Sequence, residues 1–575
     1  MQAPSPGLFG VQSASAAGPN RAHSGLALAD QLRSLGFTTA FTLPGGHIAP
    51  ILDGLAEVGV RLISARHEGA AAQMAQGWAL TTGAPGLAVV TAGAGFTNAV
   101  TALADCHLGG VPLMMVGGRT RRSRQGRGAV QDIEQARIAS AFTKISWVLG
   151  PDLSQALVQL AQARQLTTSC PSGPAYLDLP ADLGFSPLPD NLNLAAPRPA
   201  EPPAPAHADV EALMAALATS QRPLILAGSG AFWSAAGQDL LALAQASAIP
   251  ITTTSAARGL ISDDHPCCLG TLVHGGFAMQ MADTVMVIGS RFNGNLLYGG
   301  PPLFPEGMRV LQVDADPLAQ GLNRAADIFC HGDAKLTLAA LAEAWPASKR
   351  FDDWLGQARA AIATSQQMWR TEMETSSRLD AGLHPAQLAL AVERALAGQD
   401  RTVISDGGDV LAWSLAFLSA PSPGSLLTTS TSLGTLGLGL PFAIAAAAAH
   451  PHRRTVLITG DGALGLAAME IETAVRSGLS LVVLVSNNSS WGDVRNEQGR
   501  WFGEDRHAAS VLGDVRYDRL AEALGAGGMR VTQEAQLEGC LQAALAGGGV
   551  WVIDVPTDWQ IHSQLLEAIG QLGVM

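Results

Sequence analysis

The chain has 575 residues, 47% of them apolar, and a formal net charge of −13. This length exceeds one hydrophobic core and predicts about three domains. The acidic balance argues against nucleic acid as a partner. The six cysteines show no C-x-x-C spacing, which favours reduced thiols in a cytoplasmic protein. The longest apolar run, 436–449, is too short for a membrane span and predicts a buried, alanine-rich helix.

Residues 1–23 are rich in Ser, Ala, Gly and Pro and predict a disordered tail. From 24 to 185, short apolar runs alternate with helical patterns. The predicted strands are 39–43, 62–65, 86–91, 111–116 and 175–179. This alternation predicts a doubly wound parallel sheet, with ligands at the carboxyl ends of its strands.

The proline- and alanine-rich residues 186–208 predict a linker. A second α/β domain follows over 209–345, then a polar helical connector over 346–382 and a third α/β domain over 383–555. Residues 556–575 form a carboxyl-terminal tail with an apolar stripe at 561, 565, 566 and 569. The first and third domains share a βαβα pattern, as if duplicated.

The third domain carries the most specific pattern in the chain. An apolar strand over 455–459 precedes Gly460-Asp461-Gly462. A helical stretch over 464–477 and a strand over 481–485 lead to Asn487-Asn488. In such a βαβ unit the carboxyl ends of the strands meet, so Asp461 and Asn488 should converge. Together with the Ser490 carbonyl they would offer Mg²⁺ the oxygen ligands it prefers. The glycines would let a diphosphate approach a helix N-terminus.

GDG followed by NN at this spacing resembles the signature of thiamine diphosphate (ThDP) enzymes, although GDG alone is a common turn. The resemblance implies that Asp461, Asn488 and Ser490 hold Mg²⁺ on the diphosphate. It implies cofactor contacts by Gly460, Gly462, Ala463 and Trp491. Asp406, Gly407 and Gly408 would help to seat the diphosphate, with an ordinary glycine turn as the alternative.

Glu68 ends a strand and precedes a helix of small residues, which resembles the second defining segment of the family. The resemblance implies that Glu68 binds N1′ of the aminopyrimidine and stabilises the imino form that deprotonates the cofactor. Asn98 is assigned to the cofactor as well. The segment 432–441 resembles the family's wedge, with Leu436 bending the cofactor and the Gly434 carbonyl accepting its 4′-amino group. The two halves imply a homodimer or homotetramer with active sites between subunits.

Several segments resemble particular branches of the family. Residues 91–101 and 487–492 are similar to benzaldehyde lyase, and 288–293, 298–302 and 311–314 to 2-hydroxyacyl-CoA lyase and oxalyl-CoA decarboxylase. We therefore expect a ThDP/Mg²⁺-dependent C–C lyase or carboligase acting on 2-hydroxy carbonyl or acyl-CoA compounds through a C2 ylide and an enamine. The alternatives are an acetolactate synthase-type carboligase, a 2-oxo acid decarboxylase, and a non-catalytic cofactor-binding regulator.

His47 and Gln131 are the candidates for moving a proton on the substrate, with a structural histidine after a glycine turn as the alternative. Benzaldehyde lyase has a second histidine where this chain has Pro44. Five arginines in 119–127 suit phosphate groups such as those of CoA, or form a surface or subunit contact.

Two regions have open roles. The family implies FAD, ADP, CoA or no ligand in the central domain, where Asp314 is placed to bind a ribose. Residues 491–507 predict a substrate-covering loop, with Trp491, Val494 and Trp501 as its wall.

Overall fold

The structure is a computed structural model that describes residues 22–189, 193–194, 196, 201–376, 382–429 and 433–563. Several predicted features lie wholly or partly outside these ranges. They are residues 1–21 of the tail predicted over 1–23, most of the Pro-rich part of the linker, the end of the connector at 377–381, the first residue of the wedge segment, and the part of the apolar stripe beyond 563. Among the described residues, no helix has the length and apolar character needed to cross a membrane.

Each of three α/β units contains one six-stranded parallel sheet flanked by helices, which confirms the predicted fold class. The strands of the first sheet lie in the order β2-β1-β3-β4-β6-β5. They are β1 Thr39–Thr42, β2 Arg61–Ser64, β3 Gly86–Val90, β4 Leu113–Arg119, β5 Ile145–Val148 and β6 Ala175–Pro180. The helices are α1 Ser24–Ser34, α2 Ala49–Glu57, α3 Glu68–Thr82, α4 Ala94–Gly109, α5 Gln135–Ala139, α6 Leu153–Thr168 and α7 Ala181–Phe185.

The central sheet has the order β12-β11-β10-β7-β8-β9, the arrangement of a dinucleotide-binding fold. Its strands are β7 Pro223–Ala227, β8 Ile251–Thr253, β9 Cys268–Thr271, β10 Thr284–Ile288, β11 Arg309–Asp314 and β12 Ile328–His331. Its helices are α8 His207–Thr219, α9 Ser229–Trp233, α10 Gly237–Ser247, α11 Leu272–Met281 and α12 Ala334–Ala344, and the connector forms α13 Asp352–Ser376.

The third sheet has the order β14-β13-β15-β16-β18-β17. Its strands are β13 Arg401–Asp406, β14 Leu426–Thr428, β15 Arg454–Gly460, β16 Leu481–Asn487, β17 Gly527–Arg530 and β18 Val550–Pro556. Its helices are α14 Ala386–Ala395, α15 Asp409–Phe417, α16 Gly439–Ala449, α17 Asp461–Ala467, α18 Glu470–Arg476, α19 Gly492–Phe502, α20 Tyr517–Ala523 and α21 Glu534–Gly547. Counted within each domain, this strand order is that of the first sheet, which agrees with the duplication predicted from the sequence.

The first and third domains pack through α3 and α16, whose residues share one buried cluster. The approach is close because α3 carries a glycine at the crossing. A Cβ on Gly77 would lie 2.8 Å from the Phe442 Cα and 2.9 Å from its ring. The alanine-rich helix predicted from the run 436–449 is therefore α16, and small residues on both helices allow this contact.

Two features differ from the predicted elements. The helix predicted over 464–477 is interrupted at 468–469, so that Glu470 begins a new helix, α18. The structure also contains strands that the sequence patterns did not indicate, among them the short strands β5, β9, β12, β14 and β17. All five are sheet edges, where a strand is short and buries less apolar surface than a central one, so its periodicity is weak.

Candidate active site

Glu68 is the first residue of α3, and residues 65–67 separate it from the end of β2. Its side chain is buried, and Oε2 accepts a hydrogen bond from Asn98 Nδ2 at 3.0 Å. A Cβ on Gly95 would lie 3.3 Å from the other oxygen, Oε1. The structure thus brings together Glu68 and Asn98, which the sequence assigned separately to one cofactor. The amide orients the carboxyl group and leaves Oε1 facing the Gly95 turn.

The neighbouring strand ends of the first sheet carry the other predicted groups. His47 follows β1. A Cβ on Gly118, which lies within β4, would be 2.7 Å from the His47 Cβ, so His47 packs directly against this strand. Burial lowers the pKa of His47, and its Nδ1 is buried without a hydrogen-bond partner among the described residues. Thr91 Oγ1, which lies beside Gly45, is also buried without a hydrogen-bond partner among the described residues. These unpartnered buried groups make the end of this sheet a candidate polar binding site.

Gln131 has a left-handed backbone with φ of 63°, a conformation that costs energy for a residue with a Cβ. A Cβ on Gly93 would lie 2.8 Å from the Gln131 Cβ, so the glutamine packs against the turn that follows β3. The structure therefore places Gln131, His47 and Glu68 along the ends of β4, β1 and β2 with β3 between them. Their roles in proton transfer stay predictions.

A buried glutamine that the sequence analysis missed supports this turn. Gln135 Oε1 accepts from Gly93 N at 2.6 Å, and its Nε2 lies 2.9 Å from Gly118 O and 2.7 Å from Asp178 Oδ1. Gln135 is fully buried. No local pattern distinguishes it from Gln131, because its partners come from distant strands.

The arginines of the 119–127 loop have different environments. Arg119 is buried and pairs with Asp178 and Glu134, each at 2.8 Å. Arg122 pairs with Asp182 at 2.8 Å and donates to two backbone carbonyls. These two side chains hold the first domain together, so they are not available as phosphate ligands. The phosphate-site expectation stays a prediction, which now concerns mainly Arg121, Arg124 and Arg127.

In the third domain, β15 and β16 pair in parallel, with Gly460 opposite Ser486. The predicted convergence of Asp461 and Asn488 is present. Burial raises the pKa of Asp461 to about 6, although backbone N–H groups of Gly462, Asn488 and Ser490 donate to its carboxylate and act in the opposite direction. A buried carboxylate of this kind favours a nearby cation.

A cavity of about 120 Å³ opens at these strand ends, and all its lining residues belong to the third domain and the segment that follows β18. Predicted residues that line it are Gly407, Gly408, Leu436, Gly460, Asp461, Gly462, Ala463, Asn488, Ser490 and Trp491. A Cβ on Gly462 would lie 2.7 Å from the Trp491 ring, so glycine is required there. Pockets that enclose a whole small organic ligand measure roughly 300–1,000 Å³, so this cavity suits one end of such a ligand.

Three of the predicted residues are not among those that line the cavity, and their roles stay predictions. The Asp406 carboxylate accepts from Thr429 Oγ1 at 3.0 Å and from Gly439 N at 2.8 Å, so it anchors the start of α16 and does not line the cavity. Gly434 has φ of +69° and also lies outside the lining. Trp501, predicted as part of the wall, is 62% exposed because it lies near the far end of α19, whereas Trp491 and Val494 do line the cavity.

The structure adds cavity residues that the sequence analysis did not select. Asp409 and Asp493 line the cavity, and burial together with the charges of Asp493 and Glu497 raises the pKa of Asp409. Thr557 and Asp558 also contribute. Asp409 directly follows the Asp-Gly-Gly motif, and this position was the feature of the sequence that could have identified it as a site residue.

The residues present fit ThDP and Mg²⁺ in two separate parts. Asp461, the Asn488 amide and the Ser490 backbone provide oxygen ligands for Mg²⁺. No group of three or more His, Cys, Asp or Glu side chains within the described ranges could hold a metal ion, which agrees with a site that uses only one carboxylate. None of His47, Glu68 and Gln131 is among the described residues that line the cavity.

Comparison with known proteins identifies all three domains. The description "Thiamine pyrophosphate enzyme, N-terminal TPP binding domain" matches residues 23–138, the central domain of the same family matches 210–341, and its C-terminal TPP binding domain matches 406–555. Thiamine pyrophosphate is another name for ThDP. The two matched binding domains contain Glu68 and Asp461, respectively.

Proteins that are similar to this chain over nearly its whole length include acetolactate synthases. The chain is 33% identical over 544 residues to the "Probable acetolactate synthase" of Mycobacterium bovis, covering 93% of this chain and 96% of the relative. It is 30% identical over 541 residues to the "Acetolactate synthase isozyme 2 large subunit" of Escherichia coli, covering 92% and 94%. With all three domains matched, the chain belongs to the thiamine pyrophosphate enzymes and is a ThDP-dependent enzyme of their acetolactate synthase-like branch.

Proposed function

We propose that the protein is an acetolactate synthase-type carboligase that joins two 2-oxo acids, with pyruvate as the first substrate to test. The observation that carries the proposal is the similarity to acetolactate synthases over 93% of the chain. The lyase reactions expected from short motifs are the second candidate. The observation that favours them is the pair His47 and Gln131 at the predicted pyrimidine end, where His47 Nδ1 has no partner among the described residues.

The proposed reaction consumes two pyruvate molecules and one proton. The bond between C1 and C2 of the first pyruvate breaks with release of CO₂. Its C2 then bonds to C2 of the second pyruvate, whose carbonyl oxygen takes up the proton. When bound, ThDP supplies a carbon nucleophile at C2 of its thiazolium ring.

The residues of this chain would bind and orient the cofactor and hold protons. Asp461, Asn488 and the Ser490 carbonyl would hold Mg²⁺ against the diphosphate. Glu68, oriented by Asn98 at 3.0 Å, would share a proton with N1′ of the pyrimidine. His47, which burial keeps in its neutral form near pH 7, would accept or donate a proton at a substrate oxygen, with Gln131 as a hydrogen-bond donor.

The experiment offers pyruvate, benzoin and 2-hydroxyacyl-CoA thioesters separately, with ThDP and Mg²⁺ present. Acetolactate from pyruvate is the expected product. Benzaldehyde from benzoin, or an aldehyde with formyl-CoA from the thioester, would instead establish a lyase. Glu68→Gln should abolish turnover, whereas Glu57→Gln, at an exposed position of α2, should not change it.

We also propose that the site is completed between two copies of the chain. The cavity at Asp461 is lined by the third domain and the segment after β18, and it is too small for the whole cofactor. Mixing the inactive variants Glu68→Gln and Asp461→Ala tests this arrangement. A mixed dimer with sites between subunits has one intact site, so activity should return on mixing. No recovery, with mixed dimers demonstrated, would place each site within one chain.

The central domain has a nucleotide-binding strand order, and FAD, ADP or CoA are its candidate ligands. The ends of β7 and β10, where such ligands bind, are in close contact: a Cβ on Gly228 would lie 2.5 Å from the Gly289 carbonyl oxygen. Asp314 already accepts from Asp316 N at 2.9 Å. We propose that this domain holds no flavin. The absorption spectrum of the purified protein tests this, and a flavin band would contradict it.

A further inference from the structure

The two residues that precede Glu68 are held by a carboxylate from another domain. Glu470, the first residue of α18, accepts from Arg66 N at 3.0 Å and from His67 N at 3.1 Å through Oε1. Its Oε2 lies 3.1 Å from Arg66 N and accepts from Thr473 Oγ1 at 2.7 Å. Glu470 is 2% exposed. The third domain therefore fixes the backbone from which α3 and Glu68 begin.

The burial of this carboxylate requires its partners. Burial raises the pKa of Glu470, and the donors Thr473, Arg66 and His67 act against that rise. Buried carboxylates without such donors are costly. Its neighbours Ile471 and Ala474 lie in the apolar cluster shared by the first and third domains, so the carboxylate depends on these three donors.

The other acidic residue in the first turn of α18 behaves differently. Glu472 pairs with the Arg66 side chain at 3.9 Å and with Arg476 at 2.9 Å, and it is 28% exposed. These contacts join flexible side chains at the surface, which contribute little. Glu470 binds backbone N–H groups instead, so it restricts the backbone at Arg66 and His67, directly before Glu68.

The position of Glu470 connects both halves of the predicted cofactor site. Asp461 is the first residue of α17, and Glu470 is the first residue of α18. Two residues separate these two helices. The same two-helix segment thus presents Asp461 at one end and holds the Glu68 turn at the other. If the sites lie between two copies, this segment joins the diphosphate half of one site to the pyrimidine half of the other.

We propose that Glu470 is a positioning residue, which holds Glu68 in the orientation needed for proton exchange with the aminopyrimidine. This proposal rests on the proposed ThDP function. Glu470 touches no reacting atom, and it acts through the backbone of Arg66 and His67. Its hydrogen bonds, and not its charge, are the essential property, because backbone N–H groups need an acceptor at a fixed place.

The test compares Glu470→Ala, Glu470→Gln and the control Glu472→Gln. Glutamine keeps an acceptor oxygen for the two N–H groups, and its amide can donate to Thr473 Oγ1. Alanine removes the acceptor. Glu472→Gln removes the same charge near the same helix N-terminus and leaves the hydrogen bonds to the backbone of the turn in place. A further variant, Thr473→Val, leaves the acceptor in place and removes only the donor that orients it.

Two readouts separate positioning from general stability. The first is hydrogen–deuterium exchange at the amides of Arg66 and His67 in the purified protein, with and without ThDP. The second is the exchange of the C2 proton of bound ThDP for deuterium without substrate. We expect Glu470→Ala to lose amide protection and to slow the C2 exchange at least tenfold, about 1.4 kcal/mol. Glu470→Gln and Glu472→Gln should stay within about threefold of the original protein.

Unchanged amide protection and C2 exchange in Glu470→Ala would overturn the proposal. So would a Glu470→Gln variant as impaired as alanine, since that result would make charge the essential property. If Glu470→Ala does not fold, Thr473→Val decides, with partial loss of Arg66 and His67 protection expected and full protection contradicting the proposal. If the protein forms no acetolactate, the substrate assignment fails, while amide protection and C2 exchange still decide the role of Glu470.

Discussion

Replacing Gly77 by alanine adds one carbon atom, the Cβ, at the contact between the two cofactor-binding domains. The added Cβ would lie 2.8 Å from the Phe442 Cα, and carbon atoms pack at about 3.5–4.0 Å. The backbone of α16 cannot rotate away as a side chain could, so the helices must separate by about 1 Å. Overpacking of this kind costs roughly 1–3 kcal/mol. The better helix propensity of alanine returns up to about 1 kcal/mol.

The matched control is Gly356→Ala in α13, where a Cβ would meet nothing within 4 Å. This substitution gains only the helix propensity, so it should stabilise by roughly 0.5–1 kcal/mol. The same chemical change should therefore shift the unfolding midpoint down at position 77 and up at position 356. Gly77→Ala should also lower turnover, because α3 carries Glu68 at its first residue.

The assay is urea unfolding followed by circular dichroism, together with ThDP-dependent turnover of the folded variants. Two variants that shift the midpoint in the same direction by similar amounts would refute the reasoning, since the collision would then have no energetic effect. A downward shift at 77 without any loss of turnover would keep the packing account but separate it from the orientation of Glu68.

Three further predictions concern single side chains. His384 accepts from Ala386 N at 3.1 Å through Nδ1, and burial lowers its pKa from 6.5 to about 4. The unfolded chain thus binds the proton more tightly, and stability should fall by up to about 3 kcal/mol as pH drops from 6.5 towards 4. His384→Asn should flatten this part of the unfolding profile, unlike a change at the exposed His207, and equal slopes would contradict the assignment. Gln135→Met should cost roughly 2–4 kcal/mol by leaving its buried partners unsatisfied, and a neutral result in denaturation would contradict its supporting role. Asp461→Ala should weaken ThDP binding in the presence of Mg²⁺ at least tenfold, about 1.4 kcal/mol, and unchanged affinity in a tryptophan fluorescence titration would dismiss it as a metal ligand.

The enzyme class and the substrate were predicted with different success. GDG, NN and the glutamate after β2 are short motifs whose chemistry is common to the family, so they were sufficient to predict a ThDP enzyme. The lyase expectation rested on segments of four to eleven residues, which cover only a small part of the chain. Similarity over the whole chain instead favours acetolactate synthases, because substrate preference depends on residues spread over several loops.

Local pattern also explains which site residues were found. Asp461 and Asn488 each follow a buried strand, and parallel strands bring their carboxyl ends together whatever else the chain does. Glu68 likewise follows a strand and begins a helix. Asp406 has the same position at the end of β13, yet its carboxylate turns inward to Thr429 and Gly439. The sequence shows at which strand end a side chain lies, but its hydrogen-bond partners depend on the tertiary packing.

The sequence by itself therefore determined the three α/β domains, most of their central strands, and several residues at the ends of those strands, since these follow from periodicity and from the handedness of βαβ units. The tertiary structure alone decided that Arg119 and Arg122 are internal ion pairs, that Gln135 supports the Gly93 turn, and that Glu470 reaches across to the backbone before Glu68. Each of these depends on a partner from a distant part of the chain. A buried polar group is defined by what satisfies it, and only packing brings that partner within hydrogen-bond distance.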